Sequence, residues 1–308
     1  MRVVILGGSG FIGRALTRCL ARDGHEVVIV SRGAPLAAGG GVSYAPFDGR
    51  SGAGWRERLD GADVLVNLAG ENIASGYWTA ARKHRILESR LAAGRAVMDA
   101  LATVSSRPAV LVQGSATGYY GDRGEAPAAE DGPVGRGFLA EVAAKWEAST
   151  AGAEALGVRR VVARTAVVLD GRGGALPRML APFRFFIGGP LGSGNQWFPW
   201  IHLVDEVRAI RFLLECSEAQ GPYNLAAPGA VTQRELAQAI GRALSRPAWL
   251  RAPETALRLV LGEMAQELFL NGVRALPQRL TRLGFAFRFP TLTAALDDIL
   301  GGPDAVHA

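Results

Sequence analysis

Residues 3 to 16 read VVILGGSGFIGRAL, a β-branched run that passes through four glycines into a helical pattern. Few other stretches restrict a chain so sharply. Gly7, Gly8, Gly10 and Gly13 permit a tight turn and let backbone N–H groups approach a bound group closely. They also bring a helix hard against a strand, while the helix N-terminus adds positive potential. A strand, a glycine turn and a helix in that order form the opening βα unit of a dinucleotide site. The pyrophosphate would lie against Gly7, Gly10 and Gly13.

The rest of the first two thirds repeats the alternation. Strand patterns at Val3 to Leu6, Glu26 to Val30, Asp63 to Leu68, Ala109 to Gln113 and Arg160 to Leu169 are separated by helical patterns near 12–23, 79–104 and 138–156. Stacked βαβ units predict an α/β fold, a Rossmann-type doubly wound parallel sheet with helices on both faces. Beyond Leu169 lies a Gly-rich passage with a short helix near Leu176 to Phe186. A helix (203–217), a strand (Pro222 to Ala226) and a helix (232–244) follow, and the chain from Pro253 is mostly helical. The expected organisation is a nucleotide-binding domain over 1–230, with 171–200 contributing to the substrate side, and a smaller, mostly helical domain over 231–308.

The second strand discriminates between cofactors. An Asp or Glu at its end binds the ribose 2′-hydroxyl of NAD. Here the strand ends in Ser31 and Arg32. A hydroxyl and a guanidinium suit a 2′-phosphate, so the expected cofactor is NADP(H). The next strand runs into NLAG, placing Leu68, Ala69 and Gly70 at the carboxyl ends of the strands, where cofactors sit in such sheets; Asn67 is as readily a strand-end cap.

With 308 residues, 49% of them apolar, a substantial core is assured. The net charge is +6, and 32 of the 34 basic residues are arginine. These arginines are scattered among acids with no basic stripe, so an anionic small ligand is expected and a nucleic-acid partner is not. Cys19 and Cys216 lie in apolar helical patterns and read as buried thiols in a reducing compartment. His25, His84, His202 and His307 lack ligand spacing, so no metal site is expected. The opening apolar run is too short for a signal peptide and no run suits a membrane helix, so the expected location is the cytoplasm.

GGSGFIG, QGSATGYYG and NQWFPWIHLVDEV resemble the glycine loop, active-site serine strand and R-D-F-I-H-V-D-D-V element of the extended short-chain dehydrogenase/reductases, the NAD-dependent epimerase/dehydratase superfamily. NLAGENI, ILESR, GYYG, KWE, GSGNQWFPWIH and LPQRLTRLGFAFRFP look more closely like a subfamily of "epimerase family" proteins with its own C-terminal domain, some labelled cell-division inhibitors. The resemblance implies cofactor contacts by Arg90 of ILESR and Arg164 of VVARTAVVL, besides the glycine loop with Phe11 and Ile12 on the pyrophosphate, Ser31, Arg32, Leu68 and Ala69. By the residues alone, Arg90 reads as solvated. Arg164, inside an apolar strand, needs either a polar cleft or a carboxylate partner.

The superfamily's proton donor is the Tyr of Tyr-x-x-x-Lys, whose pKa the Lys lowers. This chain has no such pair: Thr79 stands four residues before Lys83, and Glu141 four before Lys145. At i,i+4, Glu141 and Lys145 read as an exposed helix pair. Tyr119 and Tyr120 are the alternative acids, with packing as the competing role, and Ser115, then Thr117, is the nearest match to the active-site serine. His202 reads as structural. Two functions follow: an NADP-dependent oxidoreductase or epimerase-like enzyme acting on a small carbonyl or hydroxyl compound, or a non-catalytic NADP(H)-sensing regulator or scaffold. The superfamily's habit would make it a homodimer.

Overall fold

A computed structural model of the chain describes residues 1–33 and 40–301; His307 lies outside them. Seven strands form the main sheet: β1 (Arg2–Leu6), β2 (Glu26–Ser31), β3 (Val42–Pro46), β4 (Val64–Asn67), β5 (Val110–Ala116), β6 (Arg159–Thr165) and β7 (Gly221–Leu225). Their order is β7-β6-β5-β4-β1-β2-β3. β1 pairs in parallel with β2 and with β4, so the chain reverses its direction of travel across the sheet at β1. The ligand crevice of an open parallel sheet belongs at that switch. α1 (Phe11–Arg22), α2 (Ala80–Thr103), α3 (Phe138–Ala148) and α4 (Leu203–Glu215) connect the strands. The expected Rossmann-type architecture is what the chain adopts.

The sequence patterns and the elements differ in three places. The run from Arg160 to Leu169 reads as one strand, but the ladder breaks at Ala166. Val167–Asp170 leaves for a separate small sheet, pairing in parallel with Trp200–His202. The helix expected to reach 156 stops at Ala148, and a 3-10 turn ends on Gly157 in the left-handed region at φ 79°. β3 was hidden: VSYAP is short, ends in proline and lies on the sheet edge beside β2.

The chain gathers into two compact units, each built from separated segments. One comprises Met1–Ser115, Val142–Arg164 and Val207–Tyr223; the other comprises Ala116–Glu141, Thr165–Glu206 and Asn224–Ala308. The expected cut at 230/231 follows the chain, whereas these units interleave, because excursions after β5 and β6 join the C-terminal residues. Each has its own apolar centre. Val4, Leu6, Val28, Leu65, Val97 and Leu111 are fully or almost fully buried in the first, around Trp55. Leu169, Leu176, Trp200, Leu236, Ile240 and Leu296 centre the second. Cys19 and Cys216 are partly exposed rather than buried, since Cys19 lies on the half-exposed flank of α1 and Cys216 one residue beyond α4. Among the described residues no helix is long and apolar enough to cross a membrane.

The superfamily-like segment WIHLVDEV organises the second unit. Asp205, fully buried, accepts main-chain hydrogen bonds from Arg288 (2.8 Å) and Phe289 (2.8 Å), which ties down the C-terminal FAFRFP segment. His202 accepts one from the Val204 N–H through Nδ1 (3.1 Å), stacks on Phe289 and has Nε2 3.3 Å from Asp298. Burial, opposed by Asp298, pushes its pKa down. These are structural duties.

Glu206 is fully buried; one oxygen accepts from the Thr165 hydroxyl at 2.8 Å, and Oε2 has no partner among the described residues. Burial pushes its pKa up from 4.5 to about 8, against the Thr165 hydrogen bond. The folded chain therefore keeps a proton that the unfolded chain gives up between pH 4.5 and about 8. Stability should fall as pH rises through that window and level off above it. Glu206→Gln should flatten this dependence and stabilise the fold by about 2–4 kcal/mol more at high pH than at low pH. Denaturant unfolding of both proteins at about pH 5 and about pH 8.5 would check it, and equal slopes would refute it.

Candidate functional site

The glycine loop closes over the carboxyl end of β1 through main-chain contacts. The Gly7 N–H donates to the Val30 carbonyl (2.8 Å) and the Gly10 N–H to the Gly7 carbonyl (2.9 Å). Gly7 has φ +85°, and a Cβ there would lie 2.8 Å from the Leu68 carbonyl carbon. A Cβ on Gly13 would come within 2.4 Å of the Gly7 oxygen, so α1 can sit this close only with glycine at that position. Gly10 caps α1 without a side-chain hydrogen bond, and the first turn carries no acid. The free N–H groups at that end and the space no Cβ fills make a cradle for a phosphate. Phe11 and Ile12 are the first residues of the helix, beside that cradle.

Beside the loop lies a crevice of about 300 Å³ lined by Gly7, Ser9, Gly10, Ser31, Arg32, Leu68, Ala69, Gly70 and Glu71, among others. The structure thus brings the glycine loop, the β2 end and the β4 end to one place, the predicted one. Arg32 is exposed there. Ser31 is buried, and its hydroxyl donates to the Gly33 carbonyl (2.8 Å), so donation to a phosphate requires that bond to be exchanged. Asn67 is a strand-end cap: its amide donates to Gln113 Oε1 (2.9 Å), and its oxygen accepts from the Ala69 N–H (3.3 Å).

Arg90 is not the solvated residue its helix pattern suggests. Its guanidinium packs under Gly70, donates to the carbonyls of Glu71 (3.1 Å) and Ile86 (2.8 Å), and lies over the Trp146 ring at 5.0 Å. Burial, opposed by Glu71, pulls its pKa down to about 10. Among the described residues no carboxylate forms an ion pair with it, so the charge adds positive potential behind the crevice. Seven lining residues were not among the predicted contacts: Ser9, Val30, Gly33, Phe47, Gly49, Glu71 and Ser89. Phe47 and Gly49 follow the hidden strand β3. Glu71 pairs with Arg82, and Ser89 accepts the Glu71 N–H (3.0 Å). The GEN of NLAGEN and the S of ILESR were the available signals.

Arg164 takes the second of the two roles its place in an apolar strand allows. It does not line the crevice; it forms a bidentate ion pair with Glu147, Nε to Oε1 at 2.9 Å and Nη2 to Oε2 at 3.0 Å, both side chains being largely buried. An apolar strand tolerates the charge because a carboxylate of matching geometry meets it. Ser115 donates its hydroxyl to the same Glu147 at 2.6 Å. Its one proton is spent on an ion-paired carboxylate, so toward any other group it can only accept. Lys145 and Glu141 are exposed on α3.

The tyrosines belong to the second unit and differ. Tyr120 is fully buried, and its hydroxyl donates to Asn224 Oδ1 (2.8 Å). Asn224 in turn donates to the Ala128 and Leu276 carbonyls, so this phenol is a core strut and not an available acid. Tyr119 is partly exposed and meets Tyr120 edge-on at 5.4 Å. Thr117 is buried.

Residues 3–226 match the NAD dependent epimerase/dehydratase family, and residues 252–299 match a domain of unknown function, DUF1731. The chain is 38% identical over 301 residues to the epimerase family protein YfhF of Bacillus subtilis, covering 97% of this chain and 98% of that protein. It is 37% identical to the human epimerase family protein SDR39U1, covering 97% and 100%. The crystal structure of human SDR39U1 isoform 2 with NADPH superposes with a TM-score of 0.86 at 36% identity, covering 97% of this chain and 99% of that one. A UDP-glucose 4-epimerase from Thermus thermophilus in complex with NAD, at 19% identity and TM-score 0.75, shares the fold. The glycine cradle, the strand order and these likenesses agree: the chain belongs to the NAD dependent epimerase/dehydratase family.

Proposed function

We propose that this protein binds NADP(H) in the crevice beside the glycine loop and is an oxidoreductase of the epimerase family acting on a small carbonyl or hydroxyl compound. The observation that carries the cofactor choice is Arg32 lining the crevice at the end of β2, where an acid would select NAD. The half-buried Arg90, without an ion-pair partner behind Gly70, supports an anionic occupant, as does the NADPH in the human relative's structure. When bound, the cofactor would supply hydride. The Gly7–Gly13 turn and the α1 N-terminus would hold its pyrophosphate, and Arg32 the 2′-phosphate.

For proton exchange, Tyr119 is the partly exposed phenol of GYYG, whereas Tyr120 is fully buried and committed to Asn224. Ser115, with its proton on Glu147, suits acceptance from a substrate hydroxyl or amide rather than donation to a carbonyl. The second reading, an NADP(H) sensor without turnover, is favoured by the same commitment of Ser115 and Tyr120 to buried hydrogen bonds.

NADPH should bind at least about tenfold more tightly than NADH, a difference of about 1.4 kcal/mol or more, and Arg32→Glu should abolish the preference. Calorimetry with both reduced cofactors checks this; equal affinities would remove the assignment. Under the enzyme reading, Tyr119→Phe stops NADPH oxidation across a carbonyl panel while the protein stays folded, whereas Tyr120→Phe acts mainly on stability. Tight NADPH binding without turnover on any carbonyl would decide for the sensor. Glu147→Ala should destabilise the fold by about 3–5 kcal/mol, since it strands Arg164 as a buried charge, and a melting curve close to wild type would contradict the structural role given to this pair.

A further inference from the structure

Arg274 stands in the two-residue strand Arg274–Ala275, which pairs in parallel with Pro127–Ala128 in the second unit. Its guanidinium lies over the ring of Trp197, 4.8 Å from the centroid. Nε is sheltered from solvent yet has no hydrogen-bond partner, and among the described residues no carboxylate reaches ion-pair distance of this side chain. Other sheltered arginines are answered: Arg164 by Glu147, Arg82 by Glu71, and Arg159 by the carbonyls of Leu213, Leu214 and Ala219. Arg274 alone in this comparison is half-buried, charged and unanswered.

Its platform is fixed. The Trp197 indole N–H donates to Glu125 Oε2 at 3.0 Å. The Trp197 backbone pairs with Thr232, and Gly272 lies so close that a Cβ there would come within 2.5 Å of the Trp197 nitrogen. The Glu125 carboxylate is thereby engaged by the indole. Stacking occupies the face of a guanidinium and leaves the N–H donors of its edge in the plane, the fork that matches two oxygens of a carboxylate or phosphate.

We infer that Arg274, braced on Trp197, is an oxyanion-recognition position for the carboxylate or phosphate group of a small-molecule ligand. It lies outside the dinucleotide crevice and stands independently of the cofactor assignment. A half-buried, stacked cation with no counter-charge in a folded protein calls for a physical reason, and an anionic ligand supplies one. Braced in advance, the side chain loses little freedom when the ligand arrives.

Nitrogen-15 correlation spectra of the full-length protein would test this through the Arg274 Nε–H and Trp197 indole N–H signals, assigned with Arg274→Lys and Trp197→Phe. Inorganic phosphate, pyrophosphate and acetate are titrated at constant ionic strength against chloride. The expected result is a saturable shift of both signals with a phosphate probe, identifying a phosphorylated ligand, or with acetate, identifying a carboxylate. Arg274→Gln should weaken the response at least about tenfold, and Arg274→Lys should retain a weaker one. Shifts no larger than those with chloride, or an undiminished response of the Trp197 signal in Arg274→Gln, would overturn the inference. The NADPH affinity of Arg274→Gln should equal that of the wild type, which shows the variant to be folded. Loss of NADPH binding by the wild type would instead refute the cofactor assignment and leave this position standing.

Discussion

The first unit rests on the contact between the Gly7 carbonyl and the Cα of Gly13. A single methyl group at Gly13 would sit 2.4 Å from that oxygen and force α1 away from β1. With α1 displaced, its uncapped N-terminus would no longer face the space beside Leu68, Ala69 and Gly70. The crevice is therefore a consequence of one steric allowance. Everything around it, from the parallel β2-β1-β4 ladder to the strap of Asn67 on Gln113, keeps the two strand ends level with that turn.

Where the superfamily carries a tyrosine and a lysine, this chain has built something different into α3. The acid of KWE, Glu147, gathers Arg164 from β6 and Ser115 from β5 into one buried cluster, and the neighbouring Trp146 carries Arg90. A bidentate ion pair with a further hydroxyl donor on Oε1 is rigid, so the cluster locks the sheet to the helix. Glu141 and Lys145, which occupy the Tyr-x-x-x-Lys spacing, face solvent. The chemical consequence is a serine with fixed hydrogen-bond polarity and, within GYYG, one buried and one partly exposed phenol.

The second unit follows another logic, that of carboxylates and amides capping main-chain groups. Asp205 takes the N–H groups of Arg288 and Phe289, Glu130 those of Asn224 and Arg279, and Glu267 those of Phe138 and Leu139 at the start of α3. Gln196 of GSGNQW donates to the carbonyls of Leu191 and Phe269. Segments far apart in the chain are thus held by polar side chains satisfying backbone that no regular ladder pairs. Motifs such as WIHLVDEV and GSGNQW owe their residue types to this duty. Arg274, whose guanidinium makes no hydrogen bond or ion pair among the described residues, stands out against it.

Local rules were enough for the fold class, the glycine cradle, the Arg32 end of β2 and the placement of Leu68 to Gly70, because period, turn chemistry and strand–helix order are written in neighbouring residues. The same rules misplaced what depends on distant partners. Arg164 could face a polar cleft or a carboxylate until Glu147, seventeen residues earlier, met it. Arg90 looked solvated until Gly70 and Trp146 covered it. Nothing in GYYG separates Tyr119 from Tyr120; the distinction comes from Asn224, 104 residues away. β3 and the break at Ala166 were equally illegible, since an edge position and a change of sheet are properties of the neighbours a strand finds and not of its composition. The sequence by itself determined which backbone could turn and what charge could meet a phosphate. Tertiary structure alone decided which charges and hydroxyls remain unspent, because a side chain is free only relative to the partners that folding delivers.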